Sequence, residues 1–229
     1  MALIDRHDAN SAWWGADVGI VRDPAFFALP ADARADALAP YAWAEWRAPL
    51  DGLASAADVA AAGFWWADVQ VGFRLALRRF SPPAGGSAVV PLQDPASRPS
   101  RPFGAERYLQ LPGVTPERLG HRYASWAATL AAEQPEWAVE VRHAGEPQGW
   151  FCATPGAGGL RLTLAALYDD ATIAGPTLYR AALAHFAARG ARVGWASFSV
   201  RNAAVLNVYA ELGARFAPHE AIWLWRADA

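Results

Sequence analysis

The sequence predicts an α/β protein in two lobes, with a mixed sheet flanked by helices. The first observation is the order of segment patterns after residue 105: helix, three strands, helix, strand, helix, strand. The second is a stretch over residues 81–104 that is rich in Pro, Gly and Ser and typical of a linker. The third is a shorter mixture of strand and helix patterns before it. We therefore predict a partial α/β lobe at 1–80, a linker at 81–104 and the main domain at 105–229.

Four segments of the N-terminal lobe carry a secondary-structure pattern. Residues 17–21 alternate between apolar and other side chains, which predicts a strand. Residues 30–39 begin with proline and carry an early aspartate, as helices often do. Residues 55–62 predict a second helix with Ser55 as its N-cap. Residues 64–80 alternate in part and predict one long strand or a pair of strands.

The main domain begins with a helix at residues 115–133, because Thr115 can cap it and proline occupies its first turn. The run at 160–167 is apolar enough to indicate a central strand buried on both faces. The remaining predicted elements are strands at 137–143, 148–154, 192–200 and 221–226, a helix at 175–190, and a helix that follows Asn202. We expect the strand at 221–226 to close the sheet.

Composition excludes several classes of function. The chain has 229 residues, is 54% hydrophobic and has a formal net charge of −2, which is typical of a globular protein and argues against a nucleic-acid partner. No apolar run reaches the roughly 20 residues that a membrane span needs, and the first ten residues do not resemble a signal peptide. Cys152 is the single cysteine, so we expect a reducing, cytoplasmic location. The zinc-ligand, P-loop and nucleophile-elbow motifs are absent from the sequence, and we predict no metal.

One predicted helix contains a residue that helix propensity does not explain. In "SVRNAAVLNVYAELGARF", residues 199–216, Asn202 can serve as N-cap and Gly213 suits the position after the helix. Tyr209 needs another reason. Positions 202 and 209 differ by about 700° around the helix axis, so they share one face two turns apart. On spacing alone, Tyr209 is an amphipathic residue at the edge of the core.

This helix is similar to the one that ends the GNAT acyltransferase fold, N-x-x-A-x-x-[LF]-Y-x-x-x-G-F, although Val205, Val208 and Ala214 depart from that pattern. Three earlier segments resemble the amino-sugar branch of the superfamily, typified by dTDP-fucosamine acetyltransferase. They are "SAWWGADVGIV" (11–21), "GFWWADVQVGF" (63–73) and "ERYLQLPGVTPERLGHRYASW" (106–126). Together the matches cover most of the chain, and the N-terminal lobe resembles a partial GNAT half.

The resemblance implies an N-acyltransferase that moves an acyl group, most simply from acetyl-CoA, to the amine of a small molecule such as an amino sugar, by direct attack in a ternary complex. Tyr209 would be the general acid. Cofactor-binding roles fall to the strand backbone at Leu164, Ala165 and Ala166, to Ala174 and Gly175 at the diphosphate loop, and to Asn202 beside the pantetheine arm. A homodimer is compatible with the sequence. The general base stays open among His121, His143, His185, Asp68, Glu106 and Glu140.

The diphosphate loop departs from the family pattern [RQ]-G-x-G-x-G/A. In the equivalent segment "DATIAG", residues 170–175, Gly175 alone matches a family glycine. Asp170 stands where a basic or amide side chain is expected, with Asp169 beside it, and carboxylates repel a diphosphate. The alternative function is therefore a degenerate GNAT-fold protein that transfers no acyl group and acts as a binding or scaffold subunit.

Overall fold

The protein is described from a computed structural model that covers residues 3–50, 56–81 and 86–227. The chain forms two compact units. Unit 1 comprises Met1–Val71 and Pro218–Ala229, and unit 2 comprises Gly72–Ala217. Within the described residues, none of the helices is long and apolar enough to cross a membrane. The mixed α/β architecture predicted from the sequence is confirmed.

Unit 1 is built on a sheet with the strand order β1-β2-β3-β11-β4, in which β2 and β3 are parallel and the other pairs antiparallel. Its strands are β1 Ile4–Arg6, β2 Val18–Val21, β3 Trp43–Pro49, β11 Glu220–Arg226 and the first part of β4 Trp65–Ala76. Its helices are α1 Asp8–Trp14, α2 Ala31–Leu38 and α3 Ala56–Ala61, with a 3-10 helix at Pro24–Ala28. Its core is rich in aromatic side chains, among them Phe26, Phe64 and Trp223.

Unit 2 contains the end of β4, from Gly72, followed in the sheet by β9, β8, β7, β6 and β5. These strands are β5 Ser87–Pro91, β6 Ala138–His143, β7 Glu146–Gly156, β8 Gly159–Leu167 and β9 Val193–Ser199, and the short β10 Arg215–Phe216 pairs with β4. Its helices are α4 Pro116–Glu133, α5 Gly175–Ala188 and α6 Ala203–Glu211, with 3-10 helices at Leu77–Arg79 and Arg107–Gln110. Pairs β5–β6, β6–β7 and β7–β8 are antiparallel, and β8–β9 is parallel.

Local signals account for most elements of unit 2. Thr115 caps α4 by accepting a hydrogen bond from the backbone N–H of Arg118 at 3.2 Å. The β6–β7 hairpin turns through Ala144 and Gly145, both with positive φ, 50° and 88°. Such a pair of left-handed residues matches the right-handed twist of the flanking strands. The strand and helix predictions after residue 115 therefore hold, with shifts of one or two residues at their ends. The prediction that the strand at 160–167 is buried on both faces is wrong, because buried residues of β8 alternate with half-buried or exposed ones such as Arg161.

Elements β1, α1 and β10 were not predicted, and three further features differ from the sequence-based expectations. The expected linker contains β5, an edge strand that ends in Pro91, a position where a missing N–H is tolerated. Strand β3 was not predicted; its first four residues are buried, so it lacks the alternation that marks a half-exposed strand. Strand β11 does not close the sheet of the main domain but lies between β3 and β4 in unit 1.

The predicted domain boundaries at residues 80 and 105 stay a prediction. The two compact units divide the chain at other positions. Residues 72–81 belong to unit 2 and residues 218–227 to unit 1. This happens because strand pairing depends on partners far apart in the chain, which local composition does not encode. The predicted N-cap Ser55 lies outside the described residues.

Candidate active site

The parallel strands β8 and β9 separate soon after they begin. They pair at Leu160 with Gly194 and at Arg161 with Trp195, and no further register pair joins these two strands in the part of the chain described. Two glycines allow the close approach at this end. A Cβ on Gly159 would lie 2.4 Å from the Val193 carbonyl oxygen, and one on Gly194 would lie 2.9 Å from Leu162. Beyond these pairs lies what we call the β8/β9 wedge, between residues 162–167 and 196–199.

The predicted pantetheine strand forms one side of this wedge. Leu164, Ala165 and Ala166 pair on their other side with Cys152, Phe151 and Trp150 of β7. Leu164 and Ala166 are buried, and Ala165 is half-buried. Because backbone groups of a strand point alternately to its two neighbours, the part of β8 beyond the paired region presents N–H and C=O groups toward the wedge. A linear amide chain could use those groups.

Tyr209 lies in the core beside the end of β9. Its ring centroid is 3.9 Å from that of Phe73, 5.9 Å from that of Phe198 and 5.3 Å from that of Tyr179. The residue is 4% exposed. Burial, with a smaller effect from the neighbouring Tyr179, raises the pKa of the Tyr209 phenol well above its ordinary value of 10.0. The phenol therefore keeps its proton at neutral pH.

Asn202 is the N-cap of α6. Its side-chain oxygen accepts a hydrogen bond from the backbone N–H of Val205 at 3.1 Å, and its own N–H donates to the Ser199 carbonyl at 2.9 Å. The cap thus joins the end of β9 directly to the helix that carries Tyr209. Asn202 is half-buried, and the sequence-based interpretation of it as a capping residue is confirmed.

Helix α5 begins next to α6. Ala174 is its N-cap and makes no side-chain capping hydrogen bond. A Cβ on Gly175 would lie 3.5 Å from a methyl carbon of Val208, so the first turn of α5 packs on α6. The predicted site residues on β8, α5 and α6 therefore all belong to unit 2, and the start of α5 adjoins α6.

Two residues that contact the loop before α5, Gln148 and Arg98, were not predicted from the sequence to be near the site. Gln148 of β7 is 2% exposed, and its side-chain oxygen accepts hydrogen bonds from the loop residues Thr172 and Ile173. Arg98 forms an ion pair with Asp170 at 3.1 Å. The available signal for Gln148 was its position in "EPQGW", an uncharged amide among strand residues that are otherwise largely apolar.

The candidate bases have partners of different kinds. Asp68 lies in unit 1, where it accepts a hydrogen bond from Gln70 at 2.7 Å. Glu140 accepts from the Tyr168 hydroxyl at 3.1 Å and from Arg142 at 2.8 Å. Glu106 accepts from the hydroxyl of Tyr123 and forms an ion pair with Arg107. His143 pairs with Ser87, His185 accepts from Arg189, and His121 is exposed. Among residues 3–50, 56–81 and 86–227, no group of three or more His, Cys, Asp or Glu side chains is placed to hold a metal ion.

Two surface depressions of unit 2, of about 390 and 410 Å³, meet around Gly190, Ala191 and Arg192. The first also contacts Arg78 and Phe80, and the second Trp137 and Gly159. Neither is lined by a predicted cofactor-binding residue or by Tyr209. They lie toward the C-terminal end of α5, whereas the predicted site lies at its N-terminal end.

No protein-family model and no curated protein matches the sequence. Solved structures do match. A GCN5-related N-acetyltransferase from Sphaerobacter thermophilus superposes with a TM-score of 0.61 at 13% identity, over 97% of this chain and 76% of that one. The fold is that of the GCN5-related N-acetyltransferases. A functionally unknown conserved protein from Staphylococcus epidermidis ATCC 12228 has a TM-score of 0.62 at 8% identity, over 95% of this chain and 88% of that one.

A tandem GNAT protein from the clavulanic acid biosynthesis pathway has a TM-score of 0.54 at 15% identity, over 93% of this chain and 76% of that one. At such identities these likenesses establish the GNAT fold alone. The amino-sugar branch that the sequence resembles is therefore a matter for proposal.

Proposed function

We propose that the protein is an acyl-CoA-dependent N-acyltransferase that transfers an acetyl group to the amine of a small molecule. The observation that carries this proposal is the β8/β9 wedge, together with the packing of the Tyr209 ring on Phe198 of β9. An extended pantetheine arm can pair with the β8 edge at Leu164–Ala166 in the way that a strand would. The GNAT fold of the chain and the acetyltransferases among its structural neighbours support the same reaction class.

The reaction assigns one role to Tyr209. The amine nitrogen forms a bond to the thioester carbonyl carbon, the carbon–sulfur bond breaks, and the amine loses a proton to a base. The negative charge that develops on sulfur meets the Tyr209 hydroxyl as hydrogen-bond donor. A thiol has a pKa of about 8.5, below the raised pKa of this phenol. Tyr209 is therefore expected to stabilise the thiolate mainly by donating a hydrogen bond, since complete proton transfer is uphill.

The acceptor that we propose is a small amine of the amino-sugar type. Its support is the resemblance of residues 11–21, 63–73 and 106–126 to the amino-sugar acetyltransferase branch. Those residues include Glu106 and Asp68, two carboxylates with identified hydrogen-bond donors around them. We assign the role of base to neither, because each is already engaged by neighbouring side chains.

A second candidate function is a GNAT-fold binding or scaffold subunit without acyl transfer. Two observations favour it: Gln148 occupies backbone donors of the loop before α5, and Tyr209 is 4% exposed. Both would follow from the loss of a donor site while the fold is retained.

Calorimetric titration with acetyl-CoA, followed by thiol-release assays on a panel of amino sugars and polyamines, separates the two functions. The proposed transferase binds acetyl-CoA and releases CoA thiol when an amine is present. A folded sample that gives no heat at millimolar acetyl-CoA contradicts the transferase and favours the binding subunit. Binding of acetyl-CoA without thiol release with any amine of the panel also contradicts the transferase and favours the binding subunit. The positive control is a GNAT enzyme of known acceptor that is active in the same assay.

A further inference from the structure

The side chain of Gln148 holds the loop before α5 from inside the protein. Its Oε1 atom accepts three hydrogen bonds: from the Thr172 backbone N–H at 2.7 Å, from the Thr172 hydroxyl at 3.1 Å and from the Ile173 backbone N–H at 3.2 Å. Its amide nitrogen donates to the Glu146 carbonyl at 3.2 Å. At 2% exposure, Gln148 is a buried part of the structure, so these bonds are not exchanged freely with water.

Other amides of the same loop are also engaged within the chain. The Asp169 N–H donates to the Pro99 carbonyl at 3.0 Å, and the Ala171 N–H donates to the Tyr168 carbonyl at 3.1 Å. Four of the five amides from Asp169 to Ile173 thus donate to atoms of the protein. A loop binds a phosphate by pointing free N–H groups at it. Residues 169–173 have turned four of those groups inward, whereas among the described residues the N–H groups of Ala174 and Gly175 at the start of α5 have no hydrogen bond.

The charges at the loop oppose an anion as well. Asp169 and Asp170 are exposed carboxylates, and Asp170 holds the guanidinium of Arg98 in an ion pair. Arg101 is directed to the Ala171 carbonyl at 3.5 Å. An incoming diphosphate would meet two carboxylates together with the guanidinium groups of Arg98 and Arg101, so the loop offers it no net positive charge.

We infer that Gln148 engages the loop amides that a donor's diphosphate would otherwise use, so that the site recognises a thioester mainly through its pantetheine arm. This inference rests on the proposed function. The inference adds to that function the part of the donor that the protein recognises. This part is the acylated pantetheine, which extends along β8 at Leu164–Ala166. The nucleotide end of acetyl-CoA contributes no contact at residues 169–173.

Equilibrium titration with two donors that share the arm tests the inference. We expect acetyl-CoA and S-acetylpantetheine to bind with dissociation constants that differ by less than about fivefold, since the second lacks only the nucleotide and phosphates. A preference for acetyl-CoA of fivefold or more, about 1 kcal/mol, overturns the inference while the transferase stands. If neither donor binds, the transferase itself is contradicted, and the inference falls with it.

A pair of variants locates the effect at the loop. Gln148→Ala removes the internal acceptor, and the freed amides of Thr172 and Ile173 should raise the preference for acetyl-CoA over S-acetylpantetheine at least threefold. Gln70→Ala is the matched control, because Gln70 is likewise a buried strand glutamine, 5% exposed, but belongs to unit 1. The preference of Gln70→Ala for acetyl-CoA over S-acetylpantetheine should equal that of the wild type. An unchanged preference in folded Gln148→Ala overturns the inference.

Amide hydrogen exchange on the wild-type protein gives a test that needs no variant. The Thr172 and Ile173 amides should be protected from exchange in the free protein, and saturating acetyl-CoA should leave their protection and their NMR shifts unchanged. Rapid exchange of both in the free protein, or a shift of both with acetyl-CoA that S-acetylpantetheine does not cause, overturns the inference.

Discussion

Replacement of Tyr209 by phenylalanine separates the two roles that the structure gives this residue. The ring packs against Phe73, Phe198 and Tyr179, and phenylalanine keeps all three contacts. Only the hydroxyl is lost, and within residues 3–50, 56–81 and 86–227 that hydroxyl has no hydrogen-bond partner. It is nevertheless not one of the fully buried polar atoms that lack a partner, so solvent reaches it and its removal carries little penalty. Tyr209→Phe should therefore change the free energy of unfolding by no more than about 1 kcal/mol.

The same substitution should lower catalysis. If the hydroxyl stabilises the leaving thiolate, kcat should fall at least tenfold, about 1.4 kcal/mol, with the dissociation constant for acetyl-CoA nearly unchanged. Tyr209→Ala should instead destabilise the fold by about 3–5 kcal/mol, since it removes a buried aromatic ring. Tyr209→Phe thus lowers activity at nearly constant stability, whereas Tyr209→Ala lowers both.

Urea unfolding and a thiol-release assay on the same preparations measure both effects. Tyr179→Phe is the matched control: Tyr179 is 9% exposed and touches the Tyr209 ring, yet has no assigned role in the reaction. It should keep wild-type turnover. Full turnover in Tyr209→Phe would remove the residue from the mechanism. A loss of more than about 2 kcal/mol of stability would show that the hydroxyl has a partner.

Three further predictions concern stability and reactivity. Gly149→Ala should cost about 3 kcal/mol in urea unfolding, because its Cβ would lie 2.3 Å from the Ala166 carbonyl oxygen, whereas Gly120→Ala in α4, with nothing within 4 Å, should gain about 0.5–1 kcal/mol. Burial raises the pKa of Cys152 from 9.0 to about 12, so the thiol should not react with a disulfide reagent at pH 8 until the protein unfolds; rapid labelling of the native protein would contradict this. Burial and then Arg189 lower the pKa of His185 below 6.5. The unfolded chain therefore takes up this proton more readily, stability should fall as the pH drops below about 6.5, and His185→Gln should lessen that fall.

Sequence signals worked best where a few adjacent residues decide the structure. Caps and turn residues predicted α4 and α6, and the apolar run at 160–167 predicted β8. The alternation in residues 64–80 predicted either one long strand or a pair of strands. The structure has one strand, β4, followed by a 3-10 helix. These elements need only local sterics and hydrogen bonding, which a short window of sequence contains.

The candidate site was predicted in part for the same reason. Asn202 and Tyr209 could be placed on one helix face from their spacing, and Gly175 at a helix start from its neighbours. Gln148 could not be assigned a partner, because it lies 24 residues before Thr172 in the chain and meets it only when β7 and the loop come together.

By itself, then, the sequence determined the α/β class, most elements after residue 115 and the order of residues along the helix that carries Tyr209. Tertiary structure alone decided that β11 pairs with β3 and β4, that β8 and β9 separate after two residue pairs, and that the loop amides point to Gln148. The physical reason is the distance along the chain between the residues that interact. Helix caps and strand alternation arise from neighbours in the chain, whereas strand partners and the satisfaction of buried hydrogen-bond donors depend on which distant groups the folded chain brings within about 3 Å.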